Sequence, residues 1–149
     1  MIPTMNTKKL KKPNVHSYAC DIYPTKLDII FDIKCIEYLN NTYGWEEAPD
    51  ASFVEDEGDH YGSTYDLLYN KETMLKTILV VFDGIPNLPQ MAHEAFHVAN
   101  GILKSIDLEF NYSKNAGNEH IAYIIEWAVK CMCDAIEKEK KTKNKTKKK

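Results

Sequence analysis

Residues 76–104 read KTILVVFDGIPNLPQMAHEAFHVANGILK, and the change of period inside this stretch decides the fold. Ile78, Leu79, Val80, Val81 and Phe82 form an unbroken apolar run rich in β-branched side chains, the composition of a strand covered on both faces. Asp83 and Gly84 end it. Pro86, Asn87 and Pro89 then lead into a helix that reaches about Lys104. Pro89 suits the first turn, where a missing N–H breaks no hydrogen bond. The helix carries His93-Glu94-Ala95-Phe96-His97, an HExxH pattern. Histidines four apart on a helix lie one above the other on one face, so their imidazoles can converge on a single ion. Zinc favours such nitrogen ligands. Glu94 points to the side of that face, where a carboxylate can act as general base toward a metal-held water.

Met91, Ala92, Ala95, Phe96 and Val98 surround the pair with apolar residues, which predicts a largely buried helix and buried histidines. Two unpartnered imidazoles in such a setting would cost on the order of several kcal/mol, and a bound metal relieves that cost. The pair still needs a third ligand. Glu119, in Gly117-Asn118-Glu119-His120-Ile121-Ala122-Tyr123, falls in the first turn of the next helix, with 21 residues between it and His97. An antiparallel return would set that helix against the motif helix. Gly101 and Ala122, each one turn beyond a ligand, are the small residues expected where the two helices meet. Glu126, two turns after Glu119, is the alternative third ligand, or a carboxylate that orients a histidine.

HEAFH followed by Asn118-Glu119-x-x-Ala122-Tyr123 resembles the gluzincins, zinc metallopeptidases, and within them small single-domain zinc peptidases encoded by bacteriophages. The resemblance spans about residues 76–130. It implies an α+β, zincin-like fold, with a small mixed or antiparallel sheet packed on the HExxH helix and a C-terminal helix. It also implies that His93, His97 and Glu119 bind Zn2+, that Glu94 activates the water, and that a protein or peptide is the substrate. An extended substrate would pair with the edge strand of the sheet, for which residues 76–83 or their hairpin partner are the counterpart. The gluzincin residue that stabilises the oxyanion has no obvious match; Tyr112, His120, Tyr123 and His60 are the candidates. A deformylase also uses HExxH, but needs a cysteine ligand just upstream, and no cysteine lies between Cys35 and the motif. A different outcome is a zinc-stabilised binding or regulatory protein that keeps the fold without turnover.

Outward from the motif, residues 62–69 read as the hairpin partner of residues 76–83, joined through Asn70, Lys71 and Glu72. Residues 46–59 hold seven carboxylates without calcium-loop spacing and read as a solvated loop. Residues 33–43 form a helix with Ile33, Ile36, Tyr38 and Leu39 inward and Gly44 as its stop. Residues 15–31 alternate as strand, interrupted near Pro24. Residues 1–14 form a loose arm, residues 15–137 a single domain, and residues 138–149 a disordered lysine-rich tail. Trp45 and Trp127 are expected to pack in the core.

Net charge is −3, but residues 138–149 contain eight lysines and one acid, leaving −10 on the remainder. The chain has no arginine, so no guanidinium is available to clamp a transition state. The basic tail lacks interleaved aromatics and the body is acidic, which argues against a nucleic-acid partner. No apolar run reaches the roughly 18–20 residues needed to span a bilayer, and no secretory signal is evident. Four scattered cysteines (20, 35, 131 and 133) suggest reduced thiols and a cytoplasmic setting, bacterial or in a phage-infected host. Cys131 has no activating neighbours and reads as inert.

Overall fold

The structure is a computed structural model that describes residues 11–55, 61–108 and 118–148. Among these residues it is a mixed α+β fold, with a five-stranded sheet and three helices. In chain order the elements are β1 (His16–Ala19), β2 (Lys26–Ile30), α1 (Ile36–Thr42), β3 (Tyr43–Trp45), β4 (Gly62–Asn70), β5 (Lys76–Phe82), α2 (Leu88–Ser105) and α3 (Asn118–Thr146). The sheet order is β1-β2-β5-β4-β3. Only the β2–β5 pair is parallel; β1–β2, β4–β5 and β3–β4 are antiparallel.

Period-two alternation divides the sheet between two cores. Leu27, Ile29, Ile78, Val80 and Phe82 face α2 and α3, where they meet Met91, Ala95, Val98, Ile102, Ala128 and Met132. Ile30, Leu79 and Val81 face the other way, onto Leu39, Tyr43, Phe53 and Leu68. The apolar run of β5 is therefore continuous because both of its faces are covered. β5 also lies between β2 and β4, so it has no free edge for a substrate. That corrects one of the two assignments made for residues 76–83 and their partner. The partner, β4, is covered differently along its length. β3 pairs only with Leu68, Tyr69 and Asn70, and Glu46 N–H reaches the Leu67 carbonyl at 2.8 Å. Among the described residues no strand pairs with the outer side of residues 62–66. A bulge between Tyr65 and Leu68, with Leu67 at φ 54°, separates the two halves.

α2 begins as its sequence demands. Asn87 caps it in a reciprocal box with Gln90, a proline occupies its first turn, and Gly84, at φ 75°, turns the chain out of β5. Three expectations change. Gly44 does not stop a helix; it lies in β3, where an added Cβ would sit 2.4 Å from the Tyr69 ring. Gly101 faces the sheet, not α3: an added Cβ would sit 2.9 Å from Asp66 Cβ and 3.1 Å from Ile78 Cδ1, so its absence lets α2 settle close. Ala122 is exposed, so it is not at the helix crossing either.

A further change concerns the tail. α3 continues to Thr146, past the point where a disordered segment was expected. Extending an existing helix needs no new nucleus, and lysine and glutamate favour it. Lys138 pairs with Asp134 at 2.6 Å, and the Thr142 and Thr146 hydroxyls donate back to the carbonyls one turn earlier. Beyond Glu139 every described tail residue is exposed. The first ten residues of the expected N-terminal arm lie outside the described residues. No helix among the described residues is long and apolar enough to cross a membrane.

Candidate metal and acid–base site

His93 and His97 project from one face of α2, and their Nε2 atoms stand 3.2 Å apart. Their rings are 4.9 Å apart at 68°. Both are exposed, as are Ala92 and Phe96, which corrects the expectation of a buried pair. The reason is the breadth of the apolar stripe: at about 100° per residue, Glu94, Ala95, Val98, Gly101 and Ile102 cover the sheet-facing arc and leave positions 93 and 97 outside it. Desolvation therefore gives no argument for a metal here. Separation does. Two nitrogens bound to one tetrahedral ion at about 2.0–2.1 Å are roughly 3.3–3.4 Å apart, close to what this pair already adopts.

Glu94 is the buried polar member of the motif, only 3% exposed. A buried carboxylate needs donors, and β4 and the residue just before it supply them. The Thr64 hydroxyl donates to Glu94 Oε2, and the Tyr61 phenol also hydrogen-bonds the Glu94 carboxylate. Burial, then the Glu94 charge and the hydrogen bond to it, raise the Tyr61 phenol above its ordinary value, so it stays a protonated donor. The Tyr61 ring stands edge-on to His93, 6.2 Å away. Tyr61 and Thr64 were not anticipated. The available signal was register: Thr64 pairs with Val80, whose side chain faces α2, so Thr64 faces α2 as well.

The third ligand is not assembled. Among the described residues no three His, Cys, Asp or Glu side chains come together as a metal shell. Glu119 is exposed in the first turn of α3. Glu126 is held by Lys130 at 2.7 Å and is exposed too. His120 hydrogen-bonds the Tyr23 hydroxyl and stacks edge-on with that ring, while Tyr123 is exposed. The sheet takes the Glu94 and Gly101 side of α2, and the buried residues of α2 share one core with α3. Tyr112 and His60 lie outside the described residues.

The remaining nucleophiles are quiet. All four cysteines are free. Burial, then the charge of Asp134, pushes the Cys131 thiol up to about 12, and burial raises Cys35 to about 11, so neither ionises near neutrality. Trp45 packs on Phe53 and Tyr65, and Trp127 lies against the α2–α3 core. Comparison of the chain with protein-family models, with curated proteins and with solved structures found no match.

Proposed function

We propose that this chain is a zinc-dependent peptidase of gluzincin type, with a zincin-like fold, that hydrolyses a peptide bond using Glu94 as general base. The observation that carries the reading is the His93–His97 Nε2 separation of 3.2 Å, next to a carboxylate held between two hydroxyls. His93 and His97 would hold the ion, with Glu119 as the proposed third ligand. Bound zinc supplies Lewis acidity, polarising a carbonyl and lowering the pKa of a water toward neutrality. Glu94 takes the proton of the attacking water on its carboxylate and returns it to the leaving amine. Thr64 and Tyr61 hold that carboxylate in one orientation from the β4 side, which fixes where the proton is collected. Tyr61, beside His93, joins His120 and Tyr123 as a candidate to donate to the carbonyl oxygen as charge develops there.

A second reading is a zinc-stabilised binding or regulatory protein without turnover. It is favoured by the burial of Glu94. Metal analysis and peptide digestion separate the two. The expected result is about one zinc per chain, retained in Glu94→Gln, lost in His93→Ala and weakened in Glu119→Ala. Cleavage of a mixed peptide digest should vanish in Glu94→Gln. A chain that binds no zinc ends both readings; zinc without cleavage selects the second.

A further inference from the structure

Side chains of β1 and of the turn after it meet α3 in sequence. His16 Nε2 lies 2.9 Å from Glu139 Oε2, and the Tyr18 hydroxyl donates to Asp134 at 2.7 Å. Past the strand, the Tyr23 hydroxyl hydrogen-bonds His120. Numbers rise along the first segment as they fall along α3, so the two run antiparallel. Cys20 lies between Tyr18 and Tyr23, and Cys131 lies between Asp134 and His120. Alternate residues of a strand share a face. His16, Tyr18 and Cys20 are partly buried, whereas Ser17 and Ala19 are exposed. The Cys20 N–H donates to the Thr25 carbonyl at 3.3 Å, one step beyond the Ala19–Lys26 pair. Cys20 therefore extends the row of side chains that faces α3.

Spacing selects its partner. Two strand residues advance about 6.7 Å, which matches four to five residues of helix at about 1.5 Å each. From His16 to Tyr18 the partner on α3 moves from Glu139 to Asp134. The same step beyond Tyr18 reaches about position 130. Cys131 is the nearest residue on the facing arc: at about 100° per residue it stands within roughly 20° of both His120 and Lys138. Lys138 lies over the Tyr18 ring, and Tyr18 and Tyr23 both pack against the core that contains Cys131. Burial, then the charge of Asp134 and that of Cys20, raise the Cys131 thiol, so the two sulfurs influence one another. We infer that Cys20 and Cys131 form a reversible disulfide, stapling the β1–β2 hairpin to α3, when the chain meets a low-molecular-weight disulfide.

The two sulfurs take different parts. Cys20 is the more exposed, so it meets the oxidant first, while Cys131 is buried and stays protonated near neutrality. Deprotonated Cys20 attacks one sulfur of the small disulfide, whose S–S bond breaks and releases one small thiolate. The Cys131 sulfur then attacks Cys20 in the mixed disulfide, passing its proton to solvent and expelling the second small thiolate. Two protein thiols are oxidised, one small disulfide is reduced to two thiols, and those thiols take up both protons. The other two cysteines are placed apart. Cys133 is exposed, and Cys35 belongs to the core on the opposite face of the sheet.

The test incubates the folded full chain with oxidised glutathione, blocks remaining thiols with iodoacetamide, and maps linked peptides by mass spectrometry. Two of the four thiols should be lost, joined as Cys20–Cys131, and dithiothreitol should restore them. The same link should form in Cys133→Ser. Cys131→Ala should stop at a glutathione adduct on Cys20, whereas Cys20→Ser should leave Cys131 free. The linked chain should melt at least about 4 °C above the reduced chain. A link between any other pair, a link that forms only in urea, retention of all four thiols, or an unraised melting midpoint overturns the proposal. Metal binding at His93 and His97 has no part in these outcomes.

Discussion

Two clusters of histidine and carboxylate stand at different places in this molecule and use their side chains in opposite ways. One ties β1 to the far end of α3. His16 Nε2 meets Glu139 Oε2 at 2.9 Å, with both side chains about nine-tenths buried, and Asn14 leans on the same carboxylate. One turn away, the Tyr18 hydroxyl donates to Asp134 at 2.7 Å and Lys138 pairs with Asp134 while lying over the Tyr18 ring. Each carboxylate there has hydrogen-bonding partners of its own. The other cluster is the motif on α2, where two like nitrogens face each other in the open and the carboxylate between them in sequence turns inward to hydroxyls. At 3.2 Å the two nitrogens are at the long end of hydrogen-bonding distance. The difference teaches that residue type does not mark a site. A closed cluster satisfies its carboxylates internally; an open pair of ring nitrogens leaves room for a third body.

Zinc is the strongest way to break the comparison. His97→Ala should lower zinc affinity at least about a hundredfold, whereas His16→Ala should leave it unchanged, measured by competition with a chromophoric chelator. Equal effects would show that the two clusters do not differ as argued. Next in size is the inward carboxylate. Glu94→Ala strands the Thr64 and Tyr61 hydroxyls and should destabilise the fold by about 1–3 kcal/mol relative to Glu94→Gln, read from urea denaturation.

Breaking the closed cluster should cost stability alone. Glu139→Ala leaves buried His16 without its acceptor and should cost about 1–2 kcal/mol, with zinc binding intact. The smallest effect is a pH dependence. Hydrogen bonds from Lys138 and Tyr18 hold the Asp134 carboxyl below its ordinary value. A carboxyl depressed in the folded state adds stability above its unfolded value, near 3.8, and loses it as pH falls through the folded value. Tyr18, raised mainly by burial and then by Asp134, has the opposite sense: its contribution is complete below its unfolded value of 10.0 and fades as pH rises beyond it. Asp134→Asn should therefore flatten the acid limb of the melting curve, and Tyr18→Phe the alkaline limb.

Four of the five described strands were legible because their signal is local; β3, at Tyr43–Trp45, reads in the sequence as a helix end and its stop. The alternation around Tyr18 and Ile29, and the unbroken run from Ile78 to Phe82, report burial residue by residue. So was α2, whose cap and proline act within one turn. The partners of Glu94 were not legible. Tyr61 and Thr64 lie about thirty residues away in sequence, and only the β4–β5 register brings them to α2. The placement of Gly101 failed for the same reason, since a glycine permits close approach without naming what approaches. The expected role of Ala122 failed because spacing along a helix does not say which arc docks.

By itself the sequence determined the chemistry within one turn of helix: two imidazoles on one face of α2, with a carboxylate beside them. Spacing along a covalent helix is a local quantity, set by the backbone before any packing occurs. Only the tertiary structure decided what surrounds them. It placed the histidines outside the buried arc, turned Glu94 onto Thr64 of β4, packed α3 on α2, and paired residues 62–65 with β5. Those outcomes depend on how a helix rotates against a sheet to bury the most apolar surface, a global balance that no single stretch of chain encodes.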